Sequence, residues 1–296
     1  ILCFAFGFNG LQAFNACSAL EYYIPDYATN GVAVAAGLGL VVFTAGVIFG
    51  GSKRISVITS IIVPVMAIAY IAIALWTTIA NITWLPAVFG LMFESAFDFQ
   101  SIFGGFAGSV VMLGIKRGLF SNEAGSGSAP CAAAAAECDD PVKMGFVQAL
   151  GVLIDTVVIC SCTAFLMLLV PQELTAGLAG MDLLQKAMQY HLGSFGIVFI
   201  AVTLALFSFS TFLGVLYYAR GNVAYLCGDN WWSQTAYKLL ALAMLLVGGT
   251  QAYTVVWDLG DVGIGLMTIF NMLALVPLSG EALTALNDYE KRKKIK

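Results

Sequence analysis

The sequence predicts an all-α polytopic membrane protein. Sixty per cent of its 296 residues are hydrophobic, 10% are charged, and the mean hydropathy is +0.91. A soluble chain of this length needs far more charge to stay in solution. Runs such as AVAAGLGLVVFTAGVIF, ISVITSIIVPVMAIAYIAIALW and MGFVQALGVLIDTVVICSCTAFLMLLV approach or exceed the ~20 residues that carry a helix across ~30 Å of hydrocarbon. The few charges are also segregated, loop by loop, as alternating spans require.

Eight spans are predicted, at roughly 1–19, 31–50, 55–78, 84–116, 145–169, 194–220, 233–250 and 257–283. Lys53 and Arg54 follow the second; Lys116, Arg117 and Lys143 follow the fourth. Arg220 and Lys238 flank the turn after the sixth, and Lys291, Arg292, Lys293, Lys294 and Lys296 close the chain. All of these fall on one side, and of the 13 Lys and Arg residues only Lys186 lands opposite. The positive-inside rule makes that side, and the C-terminus, cytoplasmic in a multi-pass protein of the cell membrane. Glu21, Asp26, Glu173, Asp182, Asp258 and Asp261 then sit in or near outer loops. The chain opens at Ile1 inside an apolar run, without Met, and reads as a fragment lacking its first helices.

Two spans depart from plain helices. Residues 84–116 would measure about 50 Å as one helix, too long for one crossing. Their middle, FESAFDFQSIFGGFAG, carries Glu94, Asp98 and Gln100, then Gly104, Gly105 and Gly108. Polar, glycine-rich backbone at bilayer depth survives where it lines a cavity or is buried in protein, so a broken helix is expected. The alternative is an outer re-entrant loop followed by an ordinary helix from about Phe103. The sixth span has a polar centre, LFSFSTFLG, with Ser208, Ser210 and Thr211. Such hydroxyls either bond their own helix and its neighbours or, with carbonyls, make a hard-oxygen site for a small cation.

Asp155 lies inside the fifth span, where an ionisable group is a functional candidate by default. Asn9, Gln12 and Asn15 recur every three residues, a polar stripe that must face protein or water. The seven cysteines are scattered, Cys160-x-Cys162 lacks zinc spacing, and inert thiols are expected. His191 is expected as an ordinary solvated loop histidine.

The stretch RGLFSNEAGSGSAP, Arg117 to Pro130, holds no GK[ST], so it is no phosphate loop. Its serines have no histidine in reach, which disfavours hydrolysis. By span order it sits at the cytoplasmic mouth, where small residues permit close helix contact and hinge motion. Ser121 or Asn122 would cap a short helix there, and Glu123 would pair with a base such as Arg117.

RGLFSNEAGSGSAPCAAAAAECDDPVKMGF, with IDTVVICSCTAFLMLL, LALFSFSTFLGVLYYARGNVAYLCG and VWDLGDVGIGLMTIFNMLALVPLSG, resembles the alanine or glycine:cation symporter family. The resemblance covers nearly the whole chain. It implies a LeuT-type fold of two inverted five-helix repeats with midplane sites, of which the chain carries about eight of ten core helices, three to ten. It implies substrate contacts from Gln12, from Phe97 with neighbouring Ser95 and Ala96, and from Thr211 and Val215. It implies a sodium site at Ser210, Thr211 and Phe207, and a cytoplasmic signature at Arg117, Asn122, Glu123, Gly125 and Gly127. Family members often carry Trp at the place of Val215, which enlarges the pocket, and Gly-Glu where this chain has Ala219-Arg220. The function implied is sodium-coupled import of a small neutral amino acid, alanine or glycine, by alternating access. The alternatives are a proton-coupled carrier using Asp155 or Glu94, a fragment inactive alone, or, against the absence of HExxH and of any Ser/His pair, an intramembrane enzyme. Expected partners are the amino acid, Na+ as coupling ion and the bilayer, with no nucleic acid, no further metal and no cofactor.

Overall fold

No water reaches the backbone inside a bilayer, so each crossing segment must bond its own N–H and C=O groups, and the helix does this within one segment. A computed structural model of the chain describes residues 1–20, 23–24, 31–50, 52–97, 107–178, 180–251 and 253–293. Among them every regular element is helical. A π-helical opening, Cys3–Phe8, leads into α1 (Asn9–Ser18), then α2 (Val32–Ile48), α3 (Ser52–Ala80) and α4 (Leu85–Phe97). There follow α5 (Ala107–Asn122), α6 (Ser128–Ala135) and α7 (Pro141–Leu153). A second π-helical segment, Ile154–Ile159, joins α7 to α8 (Cys160–Leu168). The chain ends in the short α9 (Gln172–Thr175), the long α10 (Gly180–Cys227), α11 (Trp231–Gly248) and α12 (Tyr253–Lys293). Among the described residues, four helical stretches are long and apolar enough to cross a membrane: Val57–Ala80, Pro141–Leu168, Gly180–Cys227 and Thr254–Lys293.

The interruption expected within 84–116 falls on residues 98–106, which lie outside the described residues. α4 stops at Phe97 and α5 runs on to Asn122. The described break is Glu123–Gly127, with left-handed φ at Glu123 (52°), Gly125 (84°) and Gly127 (89°). Two glycines supply that conformation without Cβ strain, and α6 restarts at Ser128. The NEAGSG string is therefore itself the interruption between two helical arms. Asp98, Gln100, Gly104 and Gly105 lie outside the described residues, as do Glu21, Asp26, Lys294 and Lys296.

α1 packs against α10, α11 and α12. Phe4, Ala5, Phe8 and Ala13 meet Phe209, Phe212, Leu213 and Leu216 of α10 and Ala241 and Leu245 of α11. Lipid tails are as apolar as leucine, so helices associate here by close approach and interdigitation rather than by escape from water. Glycines make the approach possible. A Cβ built on Gly248 runs into the backbone of Gly10, and one on Gly7 comes 3.3 Å from Gly260 Cα.

α10 is two arms bent at Gly193 (φ 62°, ψ −146°). The first arm covers the ends of other helices. Gln185 Nε2 donates to the Ala19 carbonyl at 3.2 Å, and His191 Nε2 bonds the Leu166 carbonyl at 2.9 Å. His191 is thus a half-buried helical residue satisfying a helix terminus, not a solvated loop histidine.

The ion pairs order the structure along α12. Near its start, Asp261 is held by Arg117 through two bonds of 2.9 and 3.1 Å and by Lys116 at 2.5 Å. Near its end, Arg292 meets Asp140 at 2.7 Å, roughly 45 Å further along the helix at ~1.5 Å per residue. Lys116 and Arg117 therefore touch a carboxylate expected at the opposite face, Asp261, which is 6% exposed in its side chain.

Asp140 caps α7, accepting from the Val142 amide at 3.0 Å. That bond, with the Arg292 guanidinium beside it, holds its carboxyl below the usual carboxylate range. A lowered folded-state pKa gives stability that is full above the ordinary value near ~3.9 and is lost as pH falls through the folded value. Asp140→Asn is expected to lower the melting temperature in detergent at pH 7, with the difference shrinking below about pH 4. Gly248→Val is expected to force α1 and α11 apart and to destabilise the fold by roughly 1–3 kcal/mol, measured by thermal unfolding.

Candidate functional site

Where α3, the α5–α6 break, α7 and α10 face one another, they enclose a cavity of about 880 Å³. α10 contributes Phe207, Ser210, Thr211, Gly214 and Val215, together with Tyr217 and Tyr218. The break contributes Ser121, Asn122 and Glu123, and the α7 side contributes Gln148 and Asp155. α3 adds Thr59 among apolar neighbours Ile55, Val63 and Met66. With Glu137 beside Glu123 and Asp155, three carboxylates join hydroxyls and amides inside an apolar helix assembly, a mixture that can hold a small zwitterion or a hard cation.

Local chain geometry fixes each group. Ser210 donates to the Phe207 carbonyl at 3.0 Å, an i−3 bond inside α10. Its oxygen keeps lone pairs directed outward. Ser208, one position from Phe207, is instead buried, with no hydrogen-bond partner for its hydroxyl among the described residues. Asp155 belongs to the π-helical segment, whose extra residue per turn re-aims side chains and recurs at functional sites. Ser121 donates to its carboxylate at 2.7 Å and lies 3.1 Å from Cys160 Sγ. Asn122 donates to Thr156 at 2.9 Å and accepts from the Ala124 amide at 2.9 Å. The upstream arm of the break is thereby stitched to the π-helical segment by two side-chain bonds.

Of the residues picked from sequence, the cavity unites Phe207, Ser210, Thr211 and Val215 with Asn122 and Glu123. Asp155 and Ser121 line it too; the other substrate and signature candidates do not. Gln12 is half-buried on α1. Ser95, Ala96 and Phe97 are exposed at the end of α4, and Phe97 stacks on Phe93 at 6.4 Å. Gly125 and Gly127 form the break but face α12. Arg117 sits on Asp261, with its guanidinium 4.1 Å over the Trp257 ring, rather than on Glu123. Neither Ser121 nor Asn122 caps α6, whose N-cap is Gly127. Asn9 is fully buried, and no hydrogen-bond partner reaches its carboxamide among the described residues.

Three residues escaped the sequence reading. Thr59 looks like an ordinary helix threonine in ISVITSII, and nothing marks it out. Asp261 carries the signal of a carboxylate in an apolar run, but charge counting assigned it to a loop. Asn271, a lone amide in IFNMLALV, is the kind of polar group that a membrane helix does not keep without a partner.

Similarity to known proteins points the same way. The chain is 41% identical over 293 residues to the probable sodium/glutamine symporter GlnT of Bacillus subtilis (strain 168), covering 99% of this chain and 60% of GlnT. It is 38% identical over 312 residues to the sodium/proton-dependent alanine carrier protein of Bacillus sp. (strain PS3), covering 99% of this chain and 68% of that protein. It is 39% identical over 249 residues to the sodium/alanine symporter AgcS of Methanococcus maripaludis, covering 82% of this chain and 54% of AgcS. The chain thus spans little more than half to two thirds of the length of these curated relatives. Residues 1–296 match the sodium:alanine symporter family from end to end, and the chain belongs to that family.

Proposed function

We propose that the protein of which these residues form the helical body is a sodium-coupled symporter of small neutral amino acids, working by alternating access in the cell membrane. The observation that carries this reading is the single cavity in which the Ser210–Thr211 hydroxyl pair faces a helix broken at Glu123–Gly127. Hydroxyl and carbonyl oxygens suit sodium, a hard cation. Unwound backbone and freed helix ends suit the charged groups of an amino acid, as in inverted-repeat transporters. Ser210, Thr211 and Phe207 are assigned to sodium, and Thr211 and Val215 to the substrate. Sodium and amino acid are coupled if both favour the same arrangement of the two-state equilibrium. The relatives' names divide between alanine and glutamine, and Val215 with Gln148 leaves polar room for the longer side chain.

A second reading, coupling to protons, has its own observation: the carboxylates of Glu123 and Asp155 both line the cavity. A carboxylate can carry one proton per cycle at a fixed site, whereas hydroxyls cannot.

The deciding experiment is uptake of labelled alanine, glycine and glutamine by the full-length protein in liposomes. Accumulation under an inward sodium gradient at equal pH is the expected result. Accumulation driven by a pH step without sodium moves the coupling to the carboxylates, and no accumulation of any of the three overturns the reading. In the same assay, Thr211→Ala is expected to raise the sodium concentration for half-maximal uptake about tenfold, the loss of roughly one oxygen ligand at ~1.4 kcal/mol. Unchanged sodium dependence removes Thr211 from the ion site.

A further inference from the structure

Asn271 lies near the middle of α12, within an apolar run, and its partner is the broken segment. Its Nδ2 donates to the Gly125 carbonyl at 2.9 Å, across 146 positions of sequence. Gly127 rests on the same carboxamide: a Cβ there would lie 3.0 Å from both Cγ and Oδ1 of Asn271. Between these glycines, buried Ser126 donates to the Glu123 carbonyl at 2.8 Å and lies 2.9 Å from the Ser128 hydroxyl. The downstream half of the break is thus tied to α12, as its upstream half is tied to the π-helical segment by Ser121 and Asn122.

Asn271 itself does not line the 880 Å³ cavity. It stands with Gly125 and Gly127 on a second cavity of about 650 Å³, between α6, α7 and α12, and Asn122 and Glu123 line both. Glu123 holds φ 52°, a left-handed conformation that a non-glycine residue keeps only where its surroundings over-determine it. The Gly125 carbonyl, outside any helix, takes its donor from elsewhere in the protein. Asn271 supplies that donor and fills the space left by the missing Cβ of Gly127.

We infer that Asn271 is a positioning residue, which acts through the unwound segment to hold Glu123 at its place in the cavity opposite Ser210 and Thr211. Its effect on transport rests on reading that cavity as the transport site. It touches neither substrate nor ion, and it sets the geometry of the residue that faces them. When Asn271 is replaced, the segment 123–127 samples other conformations, and ligands must select the competent one at the expense of apparent affinity.

The test uses the full-length protein with two readouts. Asn271→Leu keeps the side-chain volume and removes the donor. Asn271→Asp keeps the shape and replaces the donating nitrogen by oxygen, and it serves where the leucine variant does not fold. The first readout is amide hydrogen exchange in the peptide spanning 121–130, without ligand. The second is uptake of labelled alanine and glutamine over a range of concentrations. The expected result is about tenfold faster exchange confined to this peptide, with about tenfold higher half-saturation and a maximal rate within about twofold of wild type. Unchanged exchange overturns the proposal whether or not the wild type transports. Faster exchange with unchanged half-saturation also overturns it, leaving Asn271 a packing residue. A wild type that takes up neither amino acid defeats the transport reading instead, and exchange alone then decides whether Asn271 holds the segment.

Discussion

The chain must satisfy every backbone polar group without water, and five residues near the middle of the assembly do not lie in a helix. Past the Glu123 amide, which still bonds the Leu119 carbonyl, the segment to Gly127 leaves the helix inside a body made largely of apolar helices. Its polar groups find partners on three sides: Ser126 within the segment, Asn122 at its head, and Asn271 from α12. The neighbouring helices are placed to supply those partners. The π-helical turn carrying Asp155 and Thr156 bonds the last residues of α5, and α12 reaches the break through Asn271.

Close helix packing makes this arrangement rigid enough to hold a site. The glycine contacts of α1 with α11 and α12 bring backbones together where larger residues would hold them apart. Phe209, Phe212 and Leu213 fix one side of α10 in the same core. Ser210 and Thr211 are left to the cavity, and Val215 belongs to both the core and the cavity wall. One helix therefore packs the core and lines the cavity. On the proposed transport reading, that suits a fixed site around which some helices move and others do not.

Electrostatics divides the molecule along α12. The Asp261 cluster binds the upstream arm α5, the Asp140–Arg292 pair binds the start of α7, and the break lies between them. The two arms of the interrupted helix are thus held separately. α5 is clamped to α12 through Asp261 and through Phe120 against Trp257, while α6 meets α10 through Cys131 and Asn222. Arms with different partners can change their mutual angle without either losing its own contacts, and the glycines at 125 and 127 give the joint its freedom.

Composition and periodicity alone determined the helical membrane class, because a chain this apolar has few other ways to bury its backbone. The RGLFSNEAGSGSAP string determined the family, and the SFST hydroxyls marked one wall of the cavity, since polar atoms at depth are visible in any apolar run. Three matters were decided only in three dimensions. The break at Glu123–Gly127 lies in the signature itself, whose three left-handed residues no composition count distinguishes from an ordinary turn. Charge counting cannot see that Lys116 and Arg117 meet Asp261, 144 positions from Arg117. Asn271 and Gly125 likewise reveal their bond only once α12 is laid beside the break. A sequence records which groups need partners; the partners themselves lie far along the chain, and only the packing of helices brings them within hydrogen-bond distance.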